Sequence, residues 1–193
     1  MVVRVKQDRL DEVLKSIAAL VQKEVLVGVP DSTAGRKDEG EPISNAEIGY
    51  LMEKGSPANN VPARPHLVPG VEDALPTVTA QLQKGVEAAL RGDLSKIDAR
   101  LDAAGNVAVS SVRLRIRSNI PPPLAPSTVA NRYRQRGTRS QRKSEKDYAA
   151  LIDAGAQAAG MSLSEIQSAA GIIPLINTGG YLKSITYVKR TKK

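Results

Sequence analysis

His66 is the only histidine in the chain and therefore its only imidazole that could act as a general base at neutral pH. It lies in the segment Pro65-His66-Leu67-Val68-Pro69, and no nucleophile with an orienting group can be matched to it in the sequence. A packed or surface imidazole is the favoured interpretation. The single histidine and the absence of cysteine also exclude a multi-histidine site, a thiolate metal site and a cysteine nucleophile within one chain.

Two other patterns could indicate a functional site, a glycine-rich segment and pairs of neighbouring carboxylates, but both signals are weak. Residues 179–184 read GGYLKS, which lacks the Gly-Lys dipeptide and the earlier glycine of a phosphate-binding loop, and a strand rather than a helix is predicted to follow. Neighbouring carboxylates occur where helix starts or exposed loops are expected; they are Asp11/Glu12, Asp38/Glu39 and Glu72/Asp73. We therefore expect no catalytic residue, metal or cofactor, and we predict that the chain is not an enzyme.

A concentration of positive charge is the strongest signal in the composition. The net charge is +8, and the stretch 113–146 holds ten basic residues against one acidic residue, Glu145. Such a stretch can be a solvated helix face and loop, a nucleic-acid or phosphate contact, or a contact with an acidic protein. The residues predicted to form a basic surface are Arg132, Arg134, Arg136, Arg139, Arg142 and Lys143. Because residues two apart on a helix point to different sides, the arginines at 132, 134 and 136 predict a broad surface rather than a clamp.

The composition is that of one globular domain. The chain has 193 residues, of which 41% are hydrophobic and 25% charged, so we expect a single domain over 1–193. It has no Phe or Trp and only five Tyr, which predicts an aliphatic core. No apolar run approaches ~18 residues, so we expect no membrane contact.

Hydrophobic periodicity predicts mainly helices. Helices are expected over about 8–22, from Ser44 (a cap, with Glu47 completing a capping box) to a stop at Gly55, and from Val71 onward. Gly92 and Asp93 divide this last pattern into two helices, either a hairpin or one kinked rod. Their predicted core stripes are Leu75, Val78, Leu82, Val86 and Ala89, then Leu94, Ile97, Leu101, Ala104, Ala108 and Val112.

Short β-branched segments predict the strands. They cover 2–6, 25–29 and 184–189, and the last two are expected to share a sheet. Prolines make 56–69 and 120–126 stiff and extended. The predicted fold class is α+β: a small, mostly antiparallel sheet of about three to five strands, packed by helices that include a long central helix or helical hairpin.

Two pairs of segments carry a resemblance to a known family. Residues 45–57 read NAEIGYLMEKGSP and 61–67 read VPARPHL; residues 123–132 read PLAPSTVANR and 174–185 read PLINTGGYLKSI. In this order they resemble the signatures of the neck and tail-completion proteins of long-tailed bacteriophages, which include minor tail and virion-morphogenesis proteins. Lys54, His66 and Asn177 depart from the family pattern, and 137–172 is predicted to be an insertion.

The resemblance implies a structural role. It implies a virion protein of the head-tail connector, made in the host bacterial cytoplasm. Several copies would assemble into a ring that joins head to tail, and the expected ring is a hexamer or dodecamer. Its partners would be further copies of itself, head-completion or portal-side proteins, and the tail terminator or tail tube, with non-specific contact to genomic DNA in the channel. The alternative that remains open is a basic nucleic-acid-binding protein acting outside the virion, with salt-dependent affinity for duplex DNA.

Particular residues of the motifs are given roles on this view. Glu53 and Arg64 are expected to pair and to hold the short helix against the proline-rich arm. Gly55, Thr178 and Gly179 are predicted to form structural turns. The predicted partner or subunit contacts are Glu53, Pro62, Arg64, Pro65, His66, Pro122 and Pro123.

Overall fold

The computed structural model describes residues 10–30, 32, 35, 43–134 and 139–192, without the side chains of Leu94 and of 139–142. The elements of this part of the chain are α1 (Leu10–Val21), β1 (Lys23–Gly28), α2 (Asn45–Lys54), a 3-10 turn (Pro57–Asn59), α3 (Leu67–Leu90), α4 (Leu94–Arg117), α5 (Pro126–Arg134), α6 (Arg139–Asp153), α7 (Leu163–Ala169), α8 (Gly180–Ser184) and β2 (Thr186–Thr191).

Helices α3 and α4 form an antiparallel hairpin, which decides between the two predicted arrangements. Gly92 adopts φ +73° in the turn, and the Asp93 carboxylate accepts a hydrogen bond from the Lys96 N–H at 3.3 Å, as expected of a helix cap. The predicted core stripe of α4 is confirmed where its side chains are described, since the members that follow position 94 are all buried; they are Ile97, Leu101, Ala104, Ala108 and Val112.

The predicted core stripe of α3 is largely wrong. The residues of α3 that are buried are Gly70, Ala74, Gly85, Ala88 and Ala89, of which only Ala89 was predicted. A Cβ at Gly70 would come within 2.7 Å of the Val112 Cα, so the two helix backbones approach closely at this point. Small residues permit that approach, and the larger apolar side chains of α3 are displaced to a neighbouring, exposed face.

The sheet has two antiparallel strands among the described residues. Lys23 is paired with Thr191 and Val27 with Tyr187, so the expectation that 25–29 and 184–189 share an antiparallel sheet is confirmed, as is the α+β class. Strand β2 begins only at Thr186, because 180–184 form helix α8. The described sheet is thus smaller than the three to five strands predicted, and the predicted strand at 2–6 lies outside the described residues.

Strand β2 is attached to α4 through one aromatic side chain. The Tyr187 ring lies over Gly105, where a Cβ would be 2.5 Å from the ring carbons. The Tyr187 hydroxyl donates to Asp102 at 3.0 Å, and the Lys189 ammonium pairs with the same carboxylate at 2.8 Å. Gly105 is therefore required for close packing of the strand on the helix.

The buried apolar residues form three clusters. One joins the second half of α4 to the C-terminal segment and includes Val112, Ile116, Leu175, Tyr181 and Ile185. A second lies where α3 turns into α4, against α1. The third joins α5, α6 and α7 around Val129, Tyr148 and Ile166, so the segment predicted as an insertion packs against residues that precede it.

Candidate functional site

The two motif regions meet at a buried contact between His66 and Tyr181. The His66 ring is 0% exposed, and its Nε2 is hydrogen-bonded to the Tyr181 hydroxyl. The rings pack edge to face, with centroids 5.4 Å apart. On the other side, Nδ1 lies 2.8 Å from the Arg64 carbonyl oxygen. Since a carbonyl can only accept, Nδ1 carries the proton of the neutral ring, and the tyrosine donates to Nε2.

The Glu53 carboxylate caps helix α3, although it belongs to helix α2. It accepts hydrogen bonds from the backbone N–H groups of His66 at 2.7 Å, Leu67 at 2.8 Å and Val68 at 3.1 Å. These are the N–H groups that a helix start leaves without partners, and the helix dipole also favours a negative charge there. Glu53 thus fixes the end of α2 to the beginning of α3.

The pKa shifts in this cluster favour an ionised Glu53, a neutral His66 and a protonated Tyr181 at neutral pH. Burial alone would raise the pKa of Glu53, but the three N–H donors and the nearby His66 bring it below its usual value. Burial lowers the pKa of His66 despite the opposing effects of its hydrogen bond to Arg64 and of the Glu53 charge. Burial, with the Glu53 charge, raises the pKa of Tyr181. An ionised glutamate, a neutral histidine and a protonated tyrosine therefore form one hydrogen-bonded set.

Arg64 joins the proline-rich arm to the second proline segment. Its Nε donates to the Pro122 carbonyl at 2.9 Å and an Nη to the Pro123 carbonyl at 3.2 Å. The predicted Glu53–Arg64 pair is wrong, because each of these charged groups is bound to backbone groups instead. Arg64 is 4% exposed. Burial of Arg64 and His66 corrects the prediction that these two side chains face a partner themselves.

The prolines predicted as contacts remain available for that role. Pro62, Pro65 and Pro122 are exposed and Pro123 is half-buried. Because Arg64 holds the two proline segments together, these prolines belong to one part of the surface. Glu53 is half-buried and is better described as a helix cap than as a partner contact.

Arg132 is not part of an exposed basic surface. Its guanidinium donates to three backbone carbonyls, those of Ile173 at 3.4 Å, Pro174 at 2.8 Å and Ile176 at 3.1 Å. Burial lowers the pKa of Arg132, while the charge of Glu145 opposes the shift. The role predicted for this residue is therefore corrected: Arg132 attaches α5 to residues 173–176, at the start of the last motif segment.

Fewer of the predicted basic residues can be placed on the surface than expected. Arg134 and Lys143 are exposed. Arg136 and the side chains of Arg139 and Arg142 lie outside the described parts of the structure, so their predicted role is untested.

The predicted turns are observed. Gly55 follows α2 with φ +75°, and a Cβ there would lie 2.8 Å from the backbone nitrogen of Ala63. Gly179 has φ +80°, and the Thr178 hydroxyl accepts from the Gly180 N–H at 3.3 Å. A strand was predicted to follow this turn directly, but the turn leads into helix α8.

Sequence reasoning missed a row of large apolar side chains on the outside of α3. We call it the outer stripe; its members are 38–57% exposed, and they are Val68, Leu75, Leu82, Val86 and Leu90. Their spacing keeps them on one side of the helix over about 33 Å. The signal was present in the sequence, but it was interpreted as core because Gly and Ala are weaker hydrophobic signals than Leu and Val.

Comparison of the chain with family models, with curated proteins and with solved structures gives no match. Within the described ranges, no group of three or more His, Cys, Asp or Glu side chains is arranged to hold a metal ion. A search of the same residues finds no helix that is both long enough and apolar enough to cross a bilayer.

Proposed function

We propose that the chain is a non-enzymatic structural protein of the neck of a long-tailed bacteriophage, present as one of several copies in a ring between head and tail. The observation that carries this proposal is the contact of the two motif regions. His66 comes from the first and Tyr181 from the second, 115 residues apart, and they share a buried hydrogen bond. The segments that resemble the neck family thus form one structural unit, which favours a common origin over two chance similarities.

The surface offers what assembly with other proteins needs. A single subunit leaves the outer stripe of α3 in water, and covering these five half-exposed side chains would contribute on the order of 5 kcal/mol. The exposed prolines Pro62, Pro65 and Pro122 form a second, stiff region of the surface. A ring needs two different surfaces on each subunit, one for each neighbour, and these two regions are our candidates.

The groups that could react are used for structure instead. The His66 ring is fully buried with both nitrogens hydrogen-bonded, and it is the only imidazole in the chain. The carboxylate nearest to it caps a helix. A substrate would have to displace these hydrogen bonds to reach the ring, which supports a non-enzymatic role.

The test is to delete the gene in its phage and to examine the particles by electron microscopy. We expect DNA-filled heads and separate tails, with joined particles restored by a plasmid copy of the gene. Cryo-EM of complete particles should then place the chain in the neck. Joined, infectious particles in the absence of the gene would overturn the proposal. Tight, salt-dependent binding of the purified chain to duplex DNA together with normal particles would favour the nucleic-acid alternative.

A further inference from the structure

A cavity of about 350 Å³ lies between helices α5 and α6, and neither His66 nor Tyr181 is among its lining residues. Its wall is mostly apolar and includes Val129, Ala130, Tyr148 and Ile152. Val129 and Tyr148 also belong to the buried cluster that joins α5 to α6 and α7. The cavity is therefore built on packed residues of two helices, and its volume lies in the range of small-molecule sites.

Glu145 is the buried charged residue in the wall of this cavity. The residue is 6% exposed, and its Oε2 atom has no hydrogen-bond partner among the described residues. A buried carboxylate oxygen without a donor is rare, because folding has removed water from it without replacing the hydrogen bond. Glu145 lines the cavity, and the last torsion of a glutamate side chain is soft, so the carboxylate can adjust to a bound molecule.

The Arg132 guanidinium does not form an ion pair or hydrogen bond with this carboxylate. Burial raises the pKa of Glu145 and the charge of Arg132 acts against that rise, so the two groups influence each other through space. The hydrogen bonds of the Arg132 guanidinium are made with the carbonyls of 173–176 instead. Among the described residues, therefore, Glu145 Oε2 has no donor.

The other charged residues of the cavity are Arg134 and Asp153. With Glu145 they line the cavity with two carboxylates and one guanidinium, and the charge of Arg132 acts on Glu145 from outside the cavity. We propose that this cavity binds an organic cation, a primary ammonium on an apolar body, with the ammonium donating to Glu145 and the body lying against Val129, Tyr148 and Ile152. This site is independent of the proposed neck function.

The size of the ligand follows from the volume. A cavity of ~150 Å³ holds a benzene molecule, so roughly twice that volume accepts a body of about a dozen non-hydrogen atoms. A molecule of this size with one charged group is expected to bind with a dissociation constant on the order of 1 mM. The probe we choose is 4-phenylbutylamine. Its analogues are 4-phenylbutanol, which differs only in the polar group, and 4-phenylbutyrate, in which a carboxylate replaces the terminal aminomethyl group.

The test is an NMR titration of the full chain with each probe, following the methyl groups of Val129 and Ile152. We expect saturable shifts with the amine, about tenfold weaker binding of the alcohol, and still weaker binding of the carboxylate, because only the ammonium supplies a charged donor. In Glu145→Gln the preference of the amine over the alcohol should be lost. In Ala130→Leu, which narrows the cavity and leaves Glu145 in place, both should bind at least tenfold more weakly.

Each result decides for or against the site. Equal binding of amine and alcohol, or an unchanged preference in Glu145→Gln, overturns the ammonium assignment. Undiminished binding in Ala130→Leu, or shifts that avoid both methyl groups, places the probe elsewhere and overturns the cavity as the site. The spectrum of each variant without probe shows whether it is folded. None of these outcomes affects the neck proposal, which is tested on particles.

Discussion

Three charged side chains, Glu53, Arg64 and Arg132, bind backbone groups from distant parts of the chain. Glu53 holds the three N–H groups at the start of α3, Arg64 the carbonyls of Pro122 and Pro123, and Arg132 those of 173–176. Each bond is charge-assisted, and removing the charged group leaves several backbone groups without partners. These residues should therefore matter for stability more than charged residues on the surface do.

Replacing Glu53 tests this directly. We expect Glu53→Gln to lower the free energy of unfolding by about 2 kcal/mol, because the neutral amide is a weaker acceptor and does not complement the helix dipole. Urea denaturation at pH 7 measures the effect. Glu72→Gln is the matched control: it removes the same charge from an exposed position near the start of the same helix, and it should change stability by less than about 0.5 kcal/mol. Equal effects of the two variants would contradict the capping role.

His66 should make stability depend on pH. Its pKa is below 6.5 in the folded chain, so the unfolded chain takes up a proton first as the pH falls, and stability decreases below about pH 6.5. The pKa of Glu53 is also lowered; its contribution is present above its unfolded pKa, near 4.5, and is lost as the pH falls through the folded value. We expect two successive decreases on acidification.

The single histidine makes the first decrease assignable. His66→Phe keeps an aromatic ring beside Tyr181 and removes the titrating group. Urea unfolding of both proteins between pH 5 and pH 8 should show the dependence near pH 6.5 in the parent and none in the variant. Should the variant keep it, another group is responsible and His66 is not held neutral by its surroundings.

At the scale of elements, the α3–α4 hairpin depends on glycine where the helices come closest. Gly70→Ala would place a methyl group 2.7 Å from the Val112 Cα, so the helices must separate, and we expect a loss of about 2 kcal/mol of stability. Gly85→Ala is the matched control in the same helix, since its Cβ would meet nothing closer than 3.5 Å. Because alanine favours helix over glycine, this control should gain about 0.5–1 kcal/mol. Thermal unfolding of both variants measures the contrast, and a stabilised Gly70→Ala would contradict the close approach.

Local signals in the sequence were sufficient for most elements. Ser44 and Glu47 predicted the capping box that is observed, and Asp93 predicted the start of α4. The face of α3 was predicted wrongly, because hydrophobicity alone places Leu82 in the core and Gly70 outside it. Which face is buried depends on how closely the partner helix approaches, and that distance is a property of the pair of helices rather than of either sequence.

The candidate site was predicted less well than the fold, for a related reason. The motifs indicated that Glu53, Arg64 and His66 belong together, but their partners are backbone groups and a tyrosine up to 115 residues away. Sequence patterns show which residues are charged but not which carbonyls a folded chain brings near them. Arg132 was therefore predicted to be a surface charge, although its guanidinium is hydrogen-bonded to backbone carbonyls of the chain itself.

At the scale of the whole molecule, substitutions in the outer stripe of α3 should affect assembly without affecting folding. None of its side chains belongs to the three buried clusters, so a polar substitution there should leave the subunit folded. If neighbouring subunits in the proposed ring cover the stripe, the same substitution should prevent joining of heads to tails. A charged group in the middle of an apolar contact would be buried without a partner, which is strongly unfavourable.

The variant Leu82→Asp tests this separation, with Leu114→Asp as its control. Leu114 is 69% exposed on α4 and does not belong to the stripe. In phage that lack the gene, a plasmid carrying Leu114→Asp should restore joined particles, whereas Leu82→Asp should leave at least tenfold fewer. Circular dichroism should show both purified variants to be as helical as the parent, which separates a failure to assemble from a failure to fold. If folded Leu82→Asp restores particles as well as its control does, then α3 is not the assembly surface, and the exposed prolines around Arg64 are the surface to test next.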